Sequence, residues 1–226
     1  MGKYIEPVSV VISTREINDE YLRHVSKSFS HPKTEIIIYE NQGEYSLPQL
    51  YNKGLEESQF DIVVFMHDDL IIETKNVTTK LRRLFDNNPD YGIIGVAGTD
   101  KLITGMWWED KESMCGQVKH QHEGRTWRNE YSKKFGESLK EVVTVDGLFF
   151  AVHKNRIKNT FDDEFPGFHF YDIPICVTNY LEGVKVGVTT KIELIHKSIG
   201  MVDKKWEKNK LFFEAKYGHH LPLIVG

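Results

Sequence analysis

The sequence is poor in cysteine, contains no long apolar run and carries no large excess of either charge. Its two cysteines, Cys115 and Cys176, form no Cys-x-x-Cys pair, and we interpret both as reduced and buried. No apolar run approaches the roughly 18 residues that span a bilayer. Lys and Arg number 29 against 33 Asp and Glu, a net charge of −4. This balance lacks the basic excess typical of nucleic-acid binding, so nucleic acid is not an expected partner.

The start of the chain carries no targeting signal that we can identify. It has neither an apolar leader nor the Ser or Thr at position 6 that myristoylation requires. We therefore expect a cytoplasmic protein whose membrane contact is at most peripheral, at the inner face. Apolar residues make up 40% of the sequence and aromatic residues 12%, enough for a sizeable core. No linker, repeat or low-complexity tract divides the chain, which predicts a single domain over residues 1–226.

The first hundred residues alternate between strand and helix patterns. Strands are predicted at 8–12, 35–39, 61–66 and 91–97, with amphipathic helices between them. This alternation predicts an α/β fold with a mostly parallel sheet covered by helices on both faces. Ligands bind such sheets at the carboxyl ends of the strands. The residues of interest are therefore those that follow the first three strands, at 13–15, 40–41 and 67–69.

The alternation stops after residue 100. Residues 104–140 are rich in Trp, His, Glu and Gly and exceed the usual length of a structureless connection, so they are functional or contain small elements. The pair His120 and His122 in this region is interpreted as solvent-exposed, with metal binding as the alternative. Strand patterns return at 142–145, 148–153 and 184–189, and helix patterns at 173–181 and from Val202 to Tyr217.

The strongest local signal is His67-Asp68-Asp69, at the end of the most apolar predicted strand. Two adjacent carboxylates repel each other, and a bound divalent cation is one reason to keep them together. Neighbouring side chains of an extended segment point to opposite faces, so His67 and Asp69 should share one side and Asp68 the other. The alternative interpretation is an acidic strand end within a polar turn.

Several further short motifs occur in order along the chain. They are Ser13-Thr14-Arg15, Tyr39-Glu40-Asn41, Asn52-Lys53-Gly54, His67-Asp68-Asp69, Val145-Asp146-Gly147, Phe168-His169-Phe170-Tyr171-Asp172 and Ile195-His196-Lys197. In this order they resemble the motifs of the GT-A glycosyltransferases, most closely those of the inverting family 2. The resemblance covers essentially the whole chain. His67 stands in place of the first aspartate of the family's metal motif, and Tyr171 in place of the glutamate that precedes its catalytic base.

The resemblance implies a GT-A fold, Rossmann-like, with a small antiparallel portion on the acceptor side. Residues 1–100 would form the nucleotide-binding half and residues 101–226 the acceptor-binding half. It implies a divalent metal, Mn²⁺ or Mg²⁺, bound by Asp69 and His196, and a catalytic base at Asp172. The implied donor-binding residues are Ser13, Thr14, Arg15, Glu40, Asn52, Asp68 and Gly147.

Four residues are candidates for contact with the acceptor. His169 and Tyr171 are assigned by the resemblance, whereas Trp107 and Trp108 are adjacent indoles in a long loop and suit stacking against a sugar ring. Each assignment has a structural alternative. The two indoles are equally typical of a core, an aspartate at the start of a helix is often a cap, and a single histidine such as His196 is often structural.

The expected function is a metal-dependent, inverting glycosyltransferase that moves a sugar from a nucleotide-diphospho-sugar to a hydroxyl of a saccharide or lipid-linked saccharide, in glycan or polysaccharide biosynthesis. One alternative is a non-catalytic carbohydrate-binding domain with the same fold. Another is a sugar nucleotidyltransferase. That class wraps a triphosphate in a glycine-rich N-terminal loop, and residues 11–20 contain no glycine.

Overall fold

The structure is a computed structural model that describes residues 5–131, 139–200 and 202–226. Its strands are β1 (Ser9–Thr14), β2 (Glu35–Glu40), β3 (Ile62–Met66), β4 (Leu70–Ile72), β5 (Tyr91–Gly95), β6 (Ala97–Thr99), β7 (Lys101–Leu102), β8 (Met114–His122), β9 (Arg125–Glu130), β10 (Lys140–Val142), β11 (Thr144–Val145), β12 (Phe149–His153), β13 (Lys185–Val188), β14 (Leu194–His196) and β15 (Leu223–Ile224). Its helices are α1 (Asp19–Phe29), α2 (Leu47–Glu57), α3 (Val77–Asn87), α4 (Asp172–Leu181) and α5 (Lys204–Tyr217), followed by a 3-10 turn at Gly218–His220.

A seven-stranded sheet in the order β10-β13-β5-β12-β3-β1-β2 forms the centre of the fold. The pairs β1–β2, β1–β3 and β5–β13 are parallel, whereas β12 runs antiparallel between β3 and β5. Strand β12 begins at the carboxyl end of β3, where the amide of His67 donates to the carbonyl of Leu148, and it has to run back along β3. The predicted α/β class with a mostly parallel sheet is confirmed, because five of the seven strands run in one direction and β12 and β10 run against them. The two expected halves of the chain share this sheet.

A second sheet, in the order β11-β6-β8-β14-β4, lies beside the carboxyl end of β3, and β9 pairs with β8. Strand β14 pairs antiparallel with β4 and parallel with β8, which sets His196 opposite Leu70 on one side and His120 on the other. Much of the region 104–140 is therefore strand, as one of the two sequence interpretations allowed. Its residues 132–138 lie outside the described part of the chain.

Apolar residues fill both faces of the central sheet. Along β1, Val10 and Ile12 pack with the cluster that includes α1 and α3, while Val11 points to the opposite cluster with α2 and α4. Strand β3 is buried throughout, as its unbroken apolar run predicts. Cys115 and Cys176 are buried and form no disulfide, in agreement with the sequence interpretation.

The helix ends follow local sequence signals. Helix α2 begins with a capping box in which Ser46 and Gln49 bond each other's backbone, as predicted. Helix α5 begins later than expected, because Asp203 caps it by accepting from the amide of Trp206. The predicted helical position Val202 is exposed and precedes the helix. None of the helices in the described ranges has the length and apolar character needed to cross a membrane.

Candidate active site

Three potential metal ligands from distant parts of the chain meet at the carboxyl end of β3. His67 and Asp69 lie between β3 and β4, and His196 ends β14; one ligand atom from each lies within 4.8 Å of the others. Nε2 of His196 is 3.3 Å from Oδ1 of Asp69. We call these residues the His-Asp-His cluster. Asp68 points away from it, and its Oδ2 accepts a hydrogen bond of 2.6 Å from Thr14, as the alternation along an extended segment predicts.

Backbone contacts fix the cluster. The hydroxyl of Tyr21 on α1 donates to the carbonyl of His67 over 2.7 Å, and the amide of Lys197 donates to the carbonyl of Asp69 over 3.1 Å. His196 is held by the strand pairs on both sides of β14. The side-chain oxygen of Ser198 lies 3.0 Å from Nε2 of His196. The ligand positions are thus set by sheet and helix contacts rather than by a free loop.

Burial and charge within the cluster act in opposite directions on its members. Burial lowers the pKa of His67 to about 4, with a smaller contribution from His196. Burial also disfavours the charged forms of His196 and Asp69, but the attraction between these two groups outweighs the effect of burial. The pKa of His196 is therefore raised and that of Asp69 is lowered to about 2.

The donor set fits a divalent metal ion. Oδ1 of Asp69 is buried and faces Nε2 of His196 at 3.3 Å without a hydrogen bond of good geometry, which leaves the carboxylate able to ligate an ion. It lies among two imidazoles, and a mixed imidazole and carboxylate set suits ions such as Mn²⁺. The residues that would hold the ion are His67, Asp69 and His196.

Tyr171 connects the cluster to the candidate base. Its hydroxyl lies 2.6 Å from Nε2 of His67, and its side chain is only 4% exposed. A β-carbon on Gly147 would clash with the Tyr171 phenol, so only glycine allows this packing. Tyr171 was predicted to contact the acceptor. In the structure its phenol is buried against His67, and contact with the acceptor stays a prediction.

Asp172 is the first residue of α4, directly after Tyr171. Its Oδ2 accepts from the amide of Gly147 over 2.8 Å, and its Oδ1 accepts from the amide of Ile173. Burial, followed by the nearby charge of Asp146, raises the pKa of Asp172 to about 7. A carboxyl group with a pKa near neutrality is suited to proton transfer.

The predicted donor-binding residues divide into two groups. Ser13, Thr14 and Glu40 lie at the carboxyl ends of β1 and β2, where Thr14 pairs in register with Glu40, and Arg15 follows exposed in the next turn. Asn52 does not belong with them. Its carboxamide donates to the carbonyl of Phe161 and accepts from the same residue's amide, at 2.8 and 2.9 Å. Both ends of the amide thus tie α2 to a distant loop, and the donor-binding role of Asn52 stays a prediction.

The remaining acceptor candidates are also engaged elsewhere. Trp107 is only 5% exposed and packs edge-to-face against Trp108, so the core alternative is correct for Trp107. Trp108 is partly buried and packs 5.5 Å from Trp206 of α5, centroid to centroid. Nε2 of His169 lies 3.5 Å from Oδ1 of Asp203, the cap of α5. None of these three rings contacts the His-Asp-His cluster in the described part of the chain.

Three residues at the site were not assigned from the sequence. Asp146 is half-buried beside Asp172 and interacts with both His120 and His196. The ring of His120 lies 5.8 Å from that of His196, because β8 pairs with β14. His120 is half-buried, so the interpretation as a solvent-exposed pair holds only for His122. The third residue is Phe168, whose ring is 5.2 Å from His67. The available signals were the motif that contains Asp146 and the alternate spacing of His120 and His122, but neither indicated that His120 lies beside His196.

Comparison with protein families identifies the chain. The profile of a glycosyltransferase-like family matches residues 11–217, so the chain belongs to that family. The predicted resemblance to a glycosyltransferase family is confirmed. No curated protein matches the chain in sequence at a significant level.

Comparison with solved structures confirms the GT-A fold. The chain is similar to GalNAc-T7 in complex with UDP, GalNAc and Mn²⁺, with a TM-score of 0.59 and 10% identity over 95% of this chain and 48% of that one. It is similar to the mannosyltransferase PcManGT from Pyrobaculum calidifontis in complex with GDP-Man and Mn²⁺, with a TM-score of 0.58 and 10% identity over 95% of this chain and 65% of that one. A197 from STIV gives a TM-score of 0.51 and 10% identity, over 88% and 97% respectively. The chain thus spans about half of GalNAc-T7 and about two thirds of PcManGT.

Proposed function

We propose that this protein is a metal-dependent, inverting glycosyltransferase. It moves a sugar from a nucleotide-diphospho-sugar to a hydroxyl of a free or lipid-linked saccharide, in glycan or polysaccharide biosynthesis. The observation that supports this most is the arrangement around Tyr171, which contacts the His-Asp-His cluster through His67 and directly precedes Asp172. A cation site and a proton acceptor therefore lie on the same side of the sheet edge.

The His-Asp-His cluster would stabilise the leaving group. A divalent cation bound by His67, Asp69 and His196 would neutralise the charge that develops on the departing diphosphate. Asp68 points to the other side and, with Thr14, forms the border toward the ends of β1 and β2. This border is where the nucleoside would lie, near Glu40. The complexes of the two similar glycosyltransferases with UDP and GDP-Man support a nucleotide-sugar donor.

Asp172 would activate the acceptor hydroxyl by taking its proton. The amide of Gly147 holds one carboxylate oxygen of Asp172, and the raised pKa lets the group take a proton from an attacking hydroxyl near neutral pH. A single displacement with one base inverts the anomeric configuration. Asp146, the neighbouring carboxylate, accepts from the amide of Leu148 and interacts with His196. Its contacts favour a role in setting the pKa of Asp172 rather than a separate chemical step.

A thermal-shift panel tests the proposal directly. UDP, GDP, dTDP and CMP are added with and without Mn²⁺, since a ligand that binds the native state raises its apparent stability. We expect one nucleotide to raise the Tm, and only when Mn²⁺ is present. The matching nucleotide sugar should then be hydrolysed slowly in the absence of an acceptor. A protein that binds no nucleotide with Mn²⁺ would contradict the proposal, and bound nucleotide without turnover would favour the non-catalytic alternative.

A further inference from the structure

Phe168 is a large apolar side chain that faces water next to the proposed reaction centre. Its side chain is 52% exposed, and its ring centroid lies 5.2 Å from that of His67 and 6.1 Å from that of Tyr171. Single exposed apolar residues are common on protein surfaces. What distinguishes Phe168 is its contact with a member of the His-Asp-His cluster and with the residue that precedes the candidate base.

The loop that carries Phe168 is firmly anchored on both sides of it. The side chain of Asn209 on α5 is only 3% exposed and donates to the carbonyls of Pro166 and His169, each over 3.0 Å. The amide of Leu47 donates to the carbonyl of Gly167 over 2.7 Å. Phe168 is therefore exposed because its loop is held in place, and not because the loop is loose.

The same loop adopts a strained backbone conformation. Gly167 has φ of +75°, which glycine adopts without cost, but Phe170 has φ of +62°, which a residue with a side chain rarely adopts. Phe170 is itself buried, packed 5.4 Å from Trp206 and 5.7 Å from Phe213. Strain of this kind persists only where the surroundings enforce it, and it is concentrated at ligand-binding segments. The segment therefore buries Phe170 while Phe168, two residues earlier, stays exposed.

We infer that Phe168 is a specificity-determining residue whose ring stacks against the apolar face of a pyranose in the acceptor. The C–H bonds on that face of a sugar carry partial positive charge and are attracted to the negative face of an aromatic ring. Phe168 lies on the His67 and Tyr171 side of the site, whereas Asp68 and Thr14 mark the other side. The ring therefore suits the acceptor rather than the nucleoside. This inference rests on the proposed function and specifies its acceptor as a sugar ring.

The test compares Phe168→Ala with Phe168→Tyr, which retains the aromatic face. Phe168→Leu retains apolar bulk without the aromatic face. It replaces Phe168→Ala in the comparison if the alanine variant is unstable. Leu211→Ala is the matched control, because Leu211 is 67% exposed on α5 and its loss removes apolar surface away from the cluster. Thermal unfolding of each variant establishes that it is folded.

Binding is measured by saturation-transfer NMR with the methyl pyranosides of glucose, galactose, mannose and N-acetylglucosamine, in the presence of Mg²⁺ and UDP or GDP. We expect at least one pyranoside to receive saturation at its ring C–H groups. Its affinity should fall about tenfold in Phe168→Ala, fall similarly in Phe168→Leu, and stay unchanged in Phe168→Tyr and Leu211→Ala. Binding of no pyranoside to the wild-type protein, or equal binding to Phe168→Ala, would overturn the inference.

Nucleotide binding with Mn²⁺ is measured on separate portions of the same purified proteins, without Mg²⁺, so that the two proposals can fail separately. If the wild-type protein binds neither UDP nor GDP with Mn²⁺, the proposed function fails. If nucleotide binding is normal and the pyranoside result is negative, only the role of Phe168 fails. A loss of nucleotide affinity in Phe168→Ala would place the ring at the donor and also overturn the inference.

Discussion

The phenol oxygen of Tyr171 and Nε2 of His67 are 2.6 Å apart, although the two residues lie 104 positions apart in the chain. Hydrogen bonds of this kind orient an imidazole and determine which of its nitrogens is free to bind a metal. Tyr171 is thus a positioning residue for the His-Asp-His cluster. It occupies the place of the glutamate in the family motif that the sequence resembles.

Tyr171→Phe should weaken metal binding. Removal of the hydroxyl frees the His67 ring to rotate, and loss of such an outer partner typically lowers metal affinity by about 10- to 100-fold. Titration of Mn²⁺, followed by electron paramagnetic resonance without nucleotide, measures the effect. Tyr217→Phe is the control, because the Tyr217 hydroxyl donates a 2.6 Å hydrogen bond to Asp162, away from the cluster. Equal Mn²⁺ affinities for both variants would show that the contact does not position His67.

Asp69→Asn and Asp68→Asn should have different effects, because the two carboxylates point to opposite sides. Asp69 contributes a buried oxygen to the cluster, whereas Asp68 bonds Thr14. We expect Asp69→Asn to abolish the stabilisation by nucleotide that depends on Mn²⁺. Asp68→Asn should retain Mn²⁺ binding and lose only part of the nucleotide affinity. The comparison of Tm values with and without Mn²⁺ measures both, and identical behaviour would contradict the separation of roles.

The rate of sugar transfer should rise with pH around neutrality. Only the deprotonated carboxylate of Asp172 can accept a proton, and its pKa is raised to about 7, so activity increases as pH passes through that value. Asp172→Asn should lower kcat by about 10²- to 10⁴-fold and leave nucleotide binding intact. Asp146→Asn removes a neighbouring charge and should move the rise to lower pH. A pH profile unaffected by either variant would exclude Asp172 as the base.

Gly54→Ala should destabilise the protein. A β-carbon at this position would lie 2.6 Å from a methyl carbon of Val11, where α2 packs against β1. Overpacking of this kind costs about 1–3 kcal/mol, which urea unfolding can measure. Gly200→Ala is the control, since no atom lies within 4 Å of its added carbon. An unchanged free energy of unfolding for Gly54→Ala would mean that α2 moves away without cost.

Local sequence patterns predicted the structure correctly where a single segment of the chain determines it. The unbroken apolar run of β3 and the alternation after it predicted that His67 and Asp69 share a side and that Asp68 faces away. The capping box at Ser46 predicted the start of α2 in the same way. In these cases the geometry follows from the period of the backbone.

Features decided by distant parts of the chain could not be predicted. The direction of β12 depends on the turn that starts it beside β3, and the position of His120 depends on the pairing of β8 with β14. The adjacent indoles at 107 and 108 suggested a surface for sugars, yet Trp107 is buried. Phe168 is the exposed ring, because Asn209 anchors its loop from another helix. No local sequence signal shows that Trp107 is buried and Phe168 exposed.

Strand β14 is paired on both sides, and this distinguishes the position of His196 from that of Phe168. His196 lies in a strand that is hydrogen-bonded to a neighbour on each side, whereas Phe168 lies in a connection between elements. We therefore expect substitutions in the connection that carries Phe168 to change the proposed sugar binding while His196 stays in place, held by its two neighbouring strands.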